Sequence, residues 1–478
     1  VTHYDIALVG SGSGNSFPGP EFENRSIVYI DRGVGPDRIF GGTCLNVGCI
    51  PTKMFVHTAD VAATPSESSR YGVHETLDSV DWPAIRDRIF GRIDPIVAGG
   101  EEYRVSHPDN DNLTLLRGTA RFTGPRSMHV DLNDGGSEEI SADSFVLGAG
   151  SRAVLPPVDG LEEARPHTSD TIMRMESLPS SLAILGSGVI AVEMAHVFAS
   201  LGVDVTIIAR SGTLLRHADT DVSARLTELA RDRYRVITGF TTTSVTRTGT
   251  GVRIHGEQRG AAELESAIST IEAEELLVAV GRRPNSDLLD APAAGIDLAP
   301  DGRVRVDEYQ RVLAGGVPRA GTFAFGDLSN PHQLKHVANH ELRIVRQNLL
   351  HPGDMHRSDT MPVPYGVFTH PQVASVGLTE EEARGRGLDV KVAVQEYASI
   401  AYGWALEDTT SFAKIIVSAQ DGRIIGAHII GSEATILIQQ LVQAMSTGQT
   451  AADIARTQYW IHPAMPELIE NALLQLVD

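Results

Sequence analysis

Cysteine is nearly absent from this 478-residue chain, which has two, and lysine is scarce, at four. Two cysteines exclude a scaffold stapled by several disulfides, and a cysteine-based zinc module would need about four ligands. Long apolar runs are also missing: none reaches the roughly 18 residues that a membrane span requires. Basic charge is in deficit, with 40 Lys and Arg against 61 Asp and Glu and a formal net charge of -21. That balance argues against general nucleic-acid binding and against attachment to anionic membranes. No low-complexity segment or short-period repeat occurs. The first residues, "VTHYDIALVGSGSG", lack a basic stretch followed by a cleavable apolar segment, so a cytoplasmic protein is expected. In that compartment a purely structural disulfide is disfavoured. What is present is an ordinary globular composition, 42% hydrophobic and 21% charged, with 46 glycines that imply many tight turns. The length suits two to four domains.

The glycines are most informative at two places. "YDIALVGSGSGNS" is a short apolar run ending in Gly10, Gly12 and Gly14, as where a first strand meets a phosphate-binding turn. About 20 residues on, "SIVYIDRG" reads as the second strand, and Asp31 at its end can accept hydrogen bonds from a ribose. The third glycine of the dinucleotide fingerprint is replaced by Asn15, and "SFPGPEF" follows, where Pro18, Gly19 and Pro20 break helical continuity. The first helix is therefore expected to be short or rearranged, and a simple Gly-rich loop is the competing reading. "SLAILGSGVIAVEMAHVFASLGVDVTIIARS" is a cleaner second copy, with small residues at Gly186, Gly188 and Ala191 and a second strand ending at Ile208. Where NAD sites place an acid, this chain has Ala209 and Arg210, with Arg216 further on. Guanidinium groups suit a 2′-phosphate, which favours NADP over NAD, against the alternative of a solvated arginine pair on a loop.

Both cysteines fall within "FGGTCLNVGCIPTKM". Cys44 and Cys49 could be part of a metal site, a pair of inert buried thiols, or a redox disulfide. On a regular helix, Cα atoms five residues apart lie roughly 8–9 Å from each other, whereas a disulfide needs about 4.4–6.8 Å. A bonded pair thus demands a distorted helix start, which Gly41, Gly42 and Gly48 permit and which Pro51 suits. A helix N-terminus and the nearby Lys53 both favour a thiolate.

Taken in order, seven segments resemble the pyridine nucleotide–disulfide oxidoreductases, the group that includes glutathione reductase and dihydrolipoyl dehydrogenase. They are the first glycine turn, "GGTCLNVGCIPTK", "FVLGAGSRAVLPPVDG", the second turn, "VAVGRRPN", "GTFAFGDLS" and "WIHPAMPELIENAL". "FVLGAGSR" departs from the family's ATG motif by carrying Gly-Ala-Gly at 148–150. The resemblance implies an α/β chain with two Rossmann-like dinucleotide-binding domains and an α+β C-terminal dimerisation domain. The expected divisions are 1–150 and 282–352 for the two parts of the FAD domain, 151–281 for the NADP domain and 353–478 for the interface domain.

The same resemblance implies that Gly10, Gly12, Gly14, Asp31, Gly42, Thr43, Lys53, Ala120, Gly150 and Asp327 contact FAD. Gly186, Gly188, Val189, Ile190, Arg210, Arg216 and Gly281 are the implied NADPH contacts. Cys44 and Cys49 become the redox pair, and Lys53 lies near the flavin and pairs with Glu193. His462 and Glu467 form an acid–base dyad that serves the disulfide of the other subunit, so a homodimer is implied. Reducing a disulfide expels a thiolate that needs a proton, and histidine titrates in the required range. No metal is expected, and His336 and His340 read as surface or structural residues.

Within the family, chains of the mercuric reductase and large thioredoxin reductase types carry extra terminal cysteines, which are missing here. Dihydrolipoyl dehydrogenases keep an acid where Arg210 follows Ala209. Glutathione reductases carry a tyrosine where Val189 falls, and a long first helix. "LKHVANHE", "YGWALEDTT" and "TQYWIHPAMPELIENALL" resemble the branch that reduces mycothione, the disulfide of a sugar–inositol thiol. The expected activity is NADPH-dependent reduction of that small disulfide through FAD and Cys44–Cys49. A dihydrolipoyl dehydrogenase or a glutathione reductase is the alternative, and a flavin-binding protein without turnover is a third.

Overall fold

The computed structural model describes residues 1–258 and 269–477. Strand Thr2–Val9 runs parallel to Ile27–Asp31 on one side and to Ser137–Leu147 on the other. Every residue of Ile27–Asp31 is buried, as in a parallel strand covered on both faces. Leu113–Gly124, Ser127–Leu132 and Ser137–Leu147 form an antiparallel meander on the same sheet. Val317–Ala324, far along the chain, returns to this sheet and pairs in parallel with Ser137–Leu147.

Between those two contributions sits a second parallel sheet, in the order Glu275–Val278, Ser181–Leu185, Asp204–Ile208, Arg235–Ile237. The last region is a five-stranded antiparallel sheet, with Val373–Gly377, Ile424–Ile430 and Phe412–Ser418 at its centre. Helices Ala434–Thr447 and Glu467–Leu474 bury Leu437, Ile438, Leu441, Leu468, Ile469 and Leu473 in a core with the strand residues Ile415 and Ile429. The expected fold, two doubly wound units plus an α+β end, is the one observed.

The first two units share a continuous core. Phe55 stacks on Trp82 with centroids 5.2 Å apart, and Trp82 meets Phe198 at 5.8 Å. These rings join helix Cys49–Ser68 to helix Val189–Ser200. The first glycine turn leads into two short 3-10 turns, Ser13–Ser16 and Pro20–Phe22, in place of a long helix. Two arginines brace this segment from neighbouring helices. Arg104 donates from Nε to Asn15 Oδ1 at 3.0 Å and also to the Asn15 carbonyl, and Arg346 Nη1 donates to the Ser16 carbonyl at 2.9 Å.

The second and third regions are joined by a buried lysine. Lys414 Nζ lies 3.0 Å from Asp219, 2.7 Å from Asp221 and 2.8 Å from Glu380. Burial alone would lower its pKa, but hydrogen bonds to the three carboxylates hold it above the usual lysine range. Asp219 is itself buried and caps helix Thr220–Arg231 by accepting from the Asp221 N–H. Lys414→Met should destabilise the protein by about 3–5 kcal/mol, since it strands a buried carboxylate. Urea unfolding of the variant beside the native chain measures this, and an unchanged midpoint would refute it.

Candidate active site

The distorted helix start demanded by the cysteine spacing is present. Gly42–Asn46 and Cys49–Ser68 are separate helices, broken at Val47 and Gly48, so Cys44 lies in the first and Cys49 opens the second. Gly42 adopts φ +76°, and a Cβ there would fall 2.4 Å from Gly12 Cα, so only glycine lets this loop rest against the first nucleotide turn. The Gly41 N–H donates to Ser11 Oγ at 2.8 Å, and the buried Asn46 amide donates to the Phe40 and Gly42 carbonyls at 2.7 and 3.0 Å. The thiols are in hydrogen-bond contact. The Cys44 hydrogen bond, with help from the positive charge of Lys53, lowers the Cys49 pKa to about 7 against the effect of burial. Donating that bond, together with burial, pushes the Cys44 thiol well up. The start of a 20-residue helix at Cys49 adds to the lowering of the Cys49 pKa.

One cleft of about 1640 Å³ contains most of the residues singled out from the sequence. Gly10, Gly12, Asp31, Gly42, Thr43, Cys44, Cys49, Lys53, Ala120, Gly150 and Asp327 line one part. Gly186, Gly188, Val189, Ile190, Glu193, Arg210, Arg216 and Gly281 line the other. Gly14 lies just behind the first turn, where a Cβ would meet the side chains of Leu8 and Phe325 at 3.5 and 3.8 Å.

Both turns have the form expected of dinucleotide sites. Gly10 has φ +102°, and a Cβ would meet the Gly148 carbonyl at 2.2 Å. Gly186 has φ +138°, and a Cβ would meet the Ala279 carbonyl at 2.2 Å. Gly188 then caps helix Val189–Ser200 with no side chain blocking its N-terminus, an arrangement suited to a pyrophosphate. The Ser11 N–H donates to Asp31 Oδ1 at 3.0 Å, while Oδ2 is buried without a hydrogen-bond partner and burial raises the pKa. An orphaned acceptor at the end of the second strand fits a ribose hydroxyl of a bound dinucleotide. The Gly148 departure has a packing reason: a Cβ there would fall 2.3 Å from the ring of Phe325.

Lys53 and Glu193 are brought together. Nζ lies 2.6 Å from Oε1 and 2.7 Å from Oε2, and Glu193 Oε1 also accepts the Phe368 N–H at 2.8 Å. Lys53 lies 4.5 Å above the Phe368 ring. His462 Nδ1 contacts Glu467 Oε1 at 2.6 Å, and the hydrogen bond from His462 lowers the Glu467 pKa. Neither residue of that pair lines the cleft of its own chain.

The sequence reading missed several residues. His332, Lys335 and His336 all line the cleft; His336, read as surface or structural, also contacts the Pro364 carbonyl at 2.9 Å. Their place shortly after Asp327 is the only signal that could have marked them. His340 contacts the Ser358 carbonyl at 3.2 Å. The seam beside Lys53 continues through His196, 2.7 Å from Asp60, and His370, 2.6 Å from Glu67. These contacts link distant segments and have no sequence motif.

Two dinucleotide turns that meet across a dithiol define a disulfide oxidoreductase served by a nicotinamide. Residues 4–341 match the family model of pyridine nucleotide-disulphide oxidoreductases, and residues 363–473 match the dimerisation domain of the same family. The chain belongs to this family and is an enzyme of its class. Membership implies use of a pyridine nucleotide and a flavin. A mycothione reductase of Mycobacterium tuberculosis is 48% identical over 484 residues, covering 99% of each chain. A dihydrolipoyl dehydrogenase of the same species is 28% identical over 479 residues, covering 100% of this chain and 99% of that one. Among solved structures, the HOCl-induced flavoprotein disulfide reductase RclA of Escherichia coli, in its Cu(II) complex, superposes with a TM-score of 0.84 at 25% identity. That match covers 99% of this chain and 100% of RclA.

Removing the negative charge beside Lys53 should make the neighbouring thiol more acidic. In the reduced protein, Glu193→Gln should move the Cys49 ionisation below its value of about 7, by about half a unit on Coulombic grounds. Thiolate absorbance near 240 nm followed against pH reads the shift, and an upward movement would contradict the assignment.

Proposed function

We propose that this enzyme is an NADPH-dependent flavoprotein that reduces mycothione to two molecules of mycothiol. The observation that carries this is the cleft in which two nucleotide turns converge on Cys44 and Cys49, taken with the full-length similarity to a mycothione reductase. Arg210 and Arg216 line the nucleotide half of the cleft and suit a 2′-phosphate. The orphaned Asp31 oxygen and the Gly10–Gly12–Gly42 cradle would hold FAD, with Thr43, Ala120, Gly150 and Asp327 around it.

Held there, FAD would supply the two-electron chemistry that connects NADPH with the Cys44–Cys49 disulfide. The residues of the chain do the rest. The Cys44 thiolate attacks one sulfur of the substrate disulfide, forming a mixed disulfide and expelling the first thiol. His462 of the partner subunit, oriented by its glutamate, gives that leaving group its proton. The Cys49 thiolate then attacks Cys44, releasing the second thiol and restoring the Cys44–Cys49 bond. The sum is NADPH, a proton and one disulfide in, and NADP⁺ with two thiols out.

A homodimer is part of this reading. It is supported by the dimerisation-domain match and by exposed apolar residues in that region, among them Tyr459 and Ile461 beside His462, Trp404 and Ile436.

Steady-state assays of NADPH against NADH, across mycothione, glutathione disulfide and lipoamide, test the function. NADPH with mycothione should be the preferred pair, and better turnover of lipoamide with NADH would point to a dihydrolipoyl dehydrogenase. Replacing Arg210 and Arg216 by alanine should raise the KM for NADPH roughly 10–100-fold while leaving NADH little changed.

Subunit exchange tests the shared site. Cys44→Ser and His462→Ala homodimers should each be inactive, whereas their mixture should recover roughly a quarter of native activity, one intact site in half the dimers. No recovery after verified exchange would place His462 in its own chain's chemistry or outside it.

A further inference from the structure

Of the four lysines, two have their charge neutralised by carboxylates: Lys53 by Glu193, and Lys414 by Asp219, Asp221 and Glu380. Lys335 differs. It is the first residue of helix Lys335–Leu350, lies partly buried, and lines the cleft together with Cys44 and Cys49. Among the described residues its side chain makes no hydrogen bond and no ion pair. An ammonium group held at a cleft wall without a counter-charge is free to stabilise negative charge that the site develops during its cycle.

We propose that Lys335 is the electrostatic partner of the reduced cysteine pair, a positioning residue that stabilises the thiolate of Cys44 as it forms. The inference rests on the reading of Cys44 and Cys49 as the redox pair and adds a residue to that site.

The charged groups around the pair divide as follows. From its own helix, Cys49 faces Lys53, which lowers the Cys49 pKa and is itself paired with the doubly contacting Glu193 carboxylate of the second unit; Lys53 is not among the charges that act on Cys44. From the segment after Asp327 come Lys335, His332 and His336. The charge of Lys335 acts on both thiols and lowers the pKa of each. For Cys44, hydrogen-bonded to Cys49 and partly buried, Lys335 is the cation opposing those two effects. When Cys44 loses its proton to attack the substrate disulfide, the negative charge that develops on its sulfur is stabilised by this unpaired ammonium.

The test uses the reduced holoprotein, held anaerobically after removal of reductant. Iodoacetamide alkylation is followed against pH and resolved by peptide mass spectrometry into Cys44 and Cys49. In Lys335→Met and Lys335→Gln, the pH midpoint for Cys44 should rise by about one unit, and Lys335→Arg should return it to near the native value. With turnover measured alongside, kcat/KM for the disulfide should fall roughly tenfold at neutral pH and recover at higher pH. A Cys44 midpoint unchanged in either neutral variant overturns the proposal, and so does a shift that arginine fails to reverse, which would assign the effect to packing. The readout is thiol ionisation, independent of which disulfide is turned over. A failed mycothione assay would therefore leave this inference standing, and an unmoved midpoint would leave the substrate assignment standing.

Discussion

The contact between Lys53 and Glu193 is the constraint on which the site depends. Glu193 is buried, so its carboxylate requires a cation and further donors, and it finds them in Lys53 Nζ and the Phe368 N–H. Those three residues come from helix Cys49–Ser68, from helix Val189–Ser200 and from the stretch after strand Pro364–Val367. One polar cluster therefore fixes the relation among the dithiol, the second nucleotide turn and the third region. Apolar packing of Phe55, Trp82 and Phe198 alongside supplies adhesion. The ion pair supplies register, because a slide by one residue would strand both charges. Asp60 with His196 and Glu67 with His370 repeat the arrangement further along the same helix.

That helix also explains why the cysteines are spaced as they are. Cys49 must open it to benefit from its N-terminus, and Lys53 lies one turn on. Cys44 then has to be reached across a break, which Gly42 allows by its positive φ and Gly48 by its lack of a Cβ, since one there would lie 3.0 Å from the Thr43 carbonyl. The close approach of Gly42 to Gly12 ties this loop to the first nucleotide turn. Placing a dithiol against a dinucleotide site is in this sense one backbone problem, solved by a few glycines.

What was legible in the sequence was whatever is encoded locally. Both glycine turns, the carboxylate at Asp31, the interrupted first helix and the cysteine loop have short-range signatures with a physical reason. The pairing of Lys53 with Glu193 and of His462 with Glu467 came only through resemblance to a family. Nothing in "GCIPTK" names a partner 140 residues away. Arg104 bracing Asn15, Phe325 demanding glycine at position 148, and Lys335 in the cleft were not legible. Each depends on which distant segment the topology brings alongside, and a side chain's role is then set by what faces it. "LKHVANHE" reads as an ordinary helix start until Asp327 and the returning strand Val317–Ala324 carry its first residues to the wall of the cleft that holds the dithiol.

The charge distribution follows the same logic. A chain with a net charge of -21 is unfavourable surroundings for a second thiolate or a nucleotide phosphate. Its few cations therefore matter by placement: two of four lysines line the cleft, and Arg210 and Arg216 stand at its nucleotide end. The remaining acidity lies largely where it is solvated or paired. Local cations offset the repulsion where anions must bind or form, and the long-range field elsewhere disfavours nucleic acid and acidic membranes. A neutral disulfide carrying sugars is compatible with that field, because it needs no electrostatic steering to approach. A substrate bearing several carboxylates would approach against it and would need further basic residues at the mouth of the cleft.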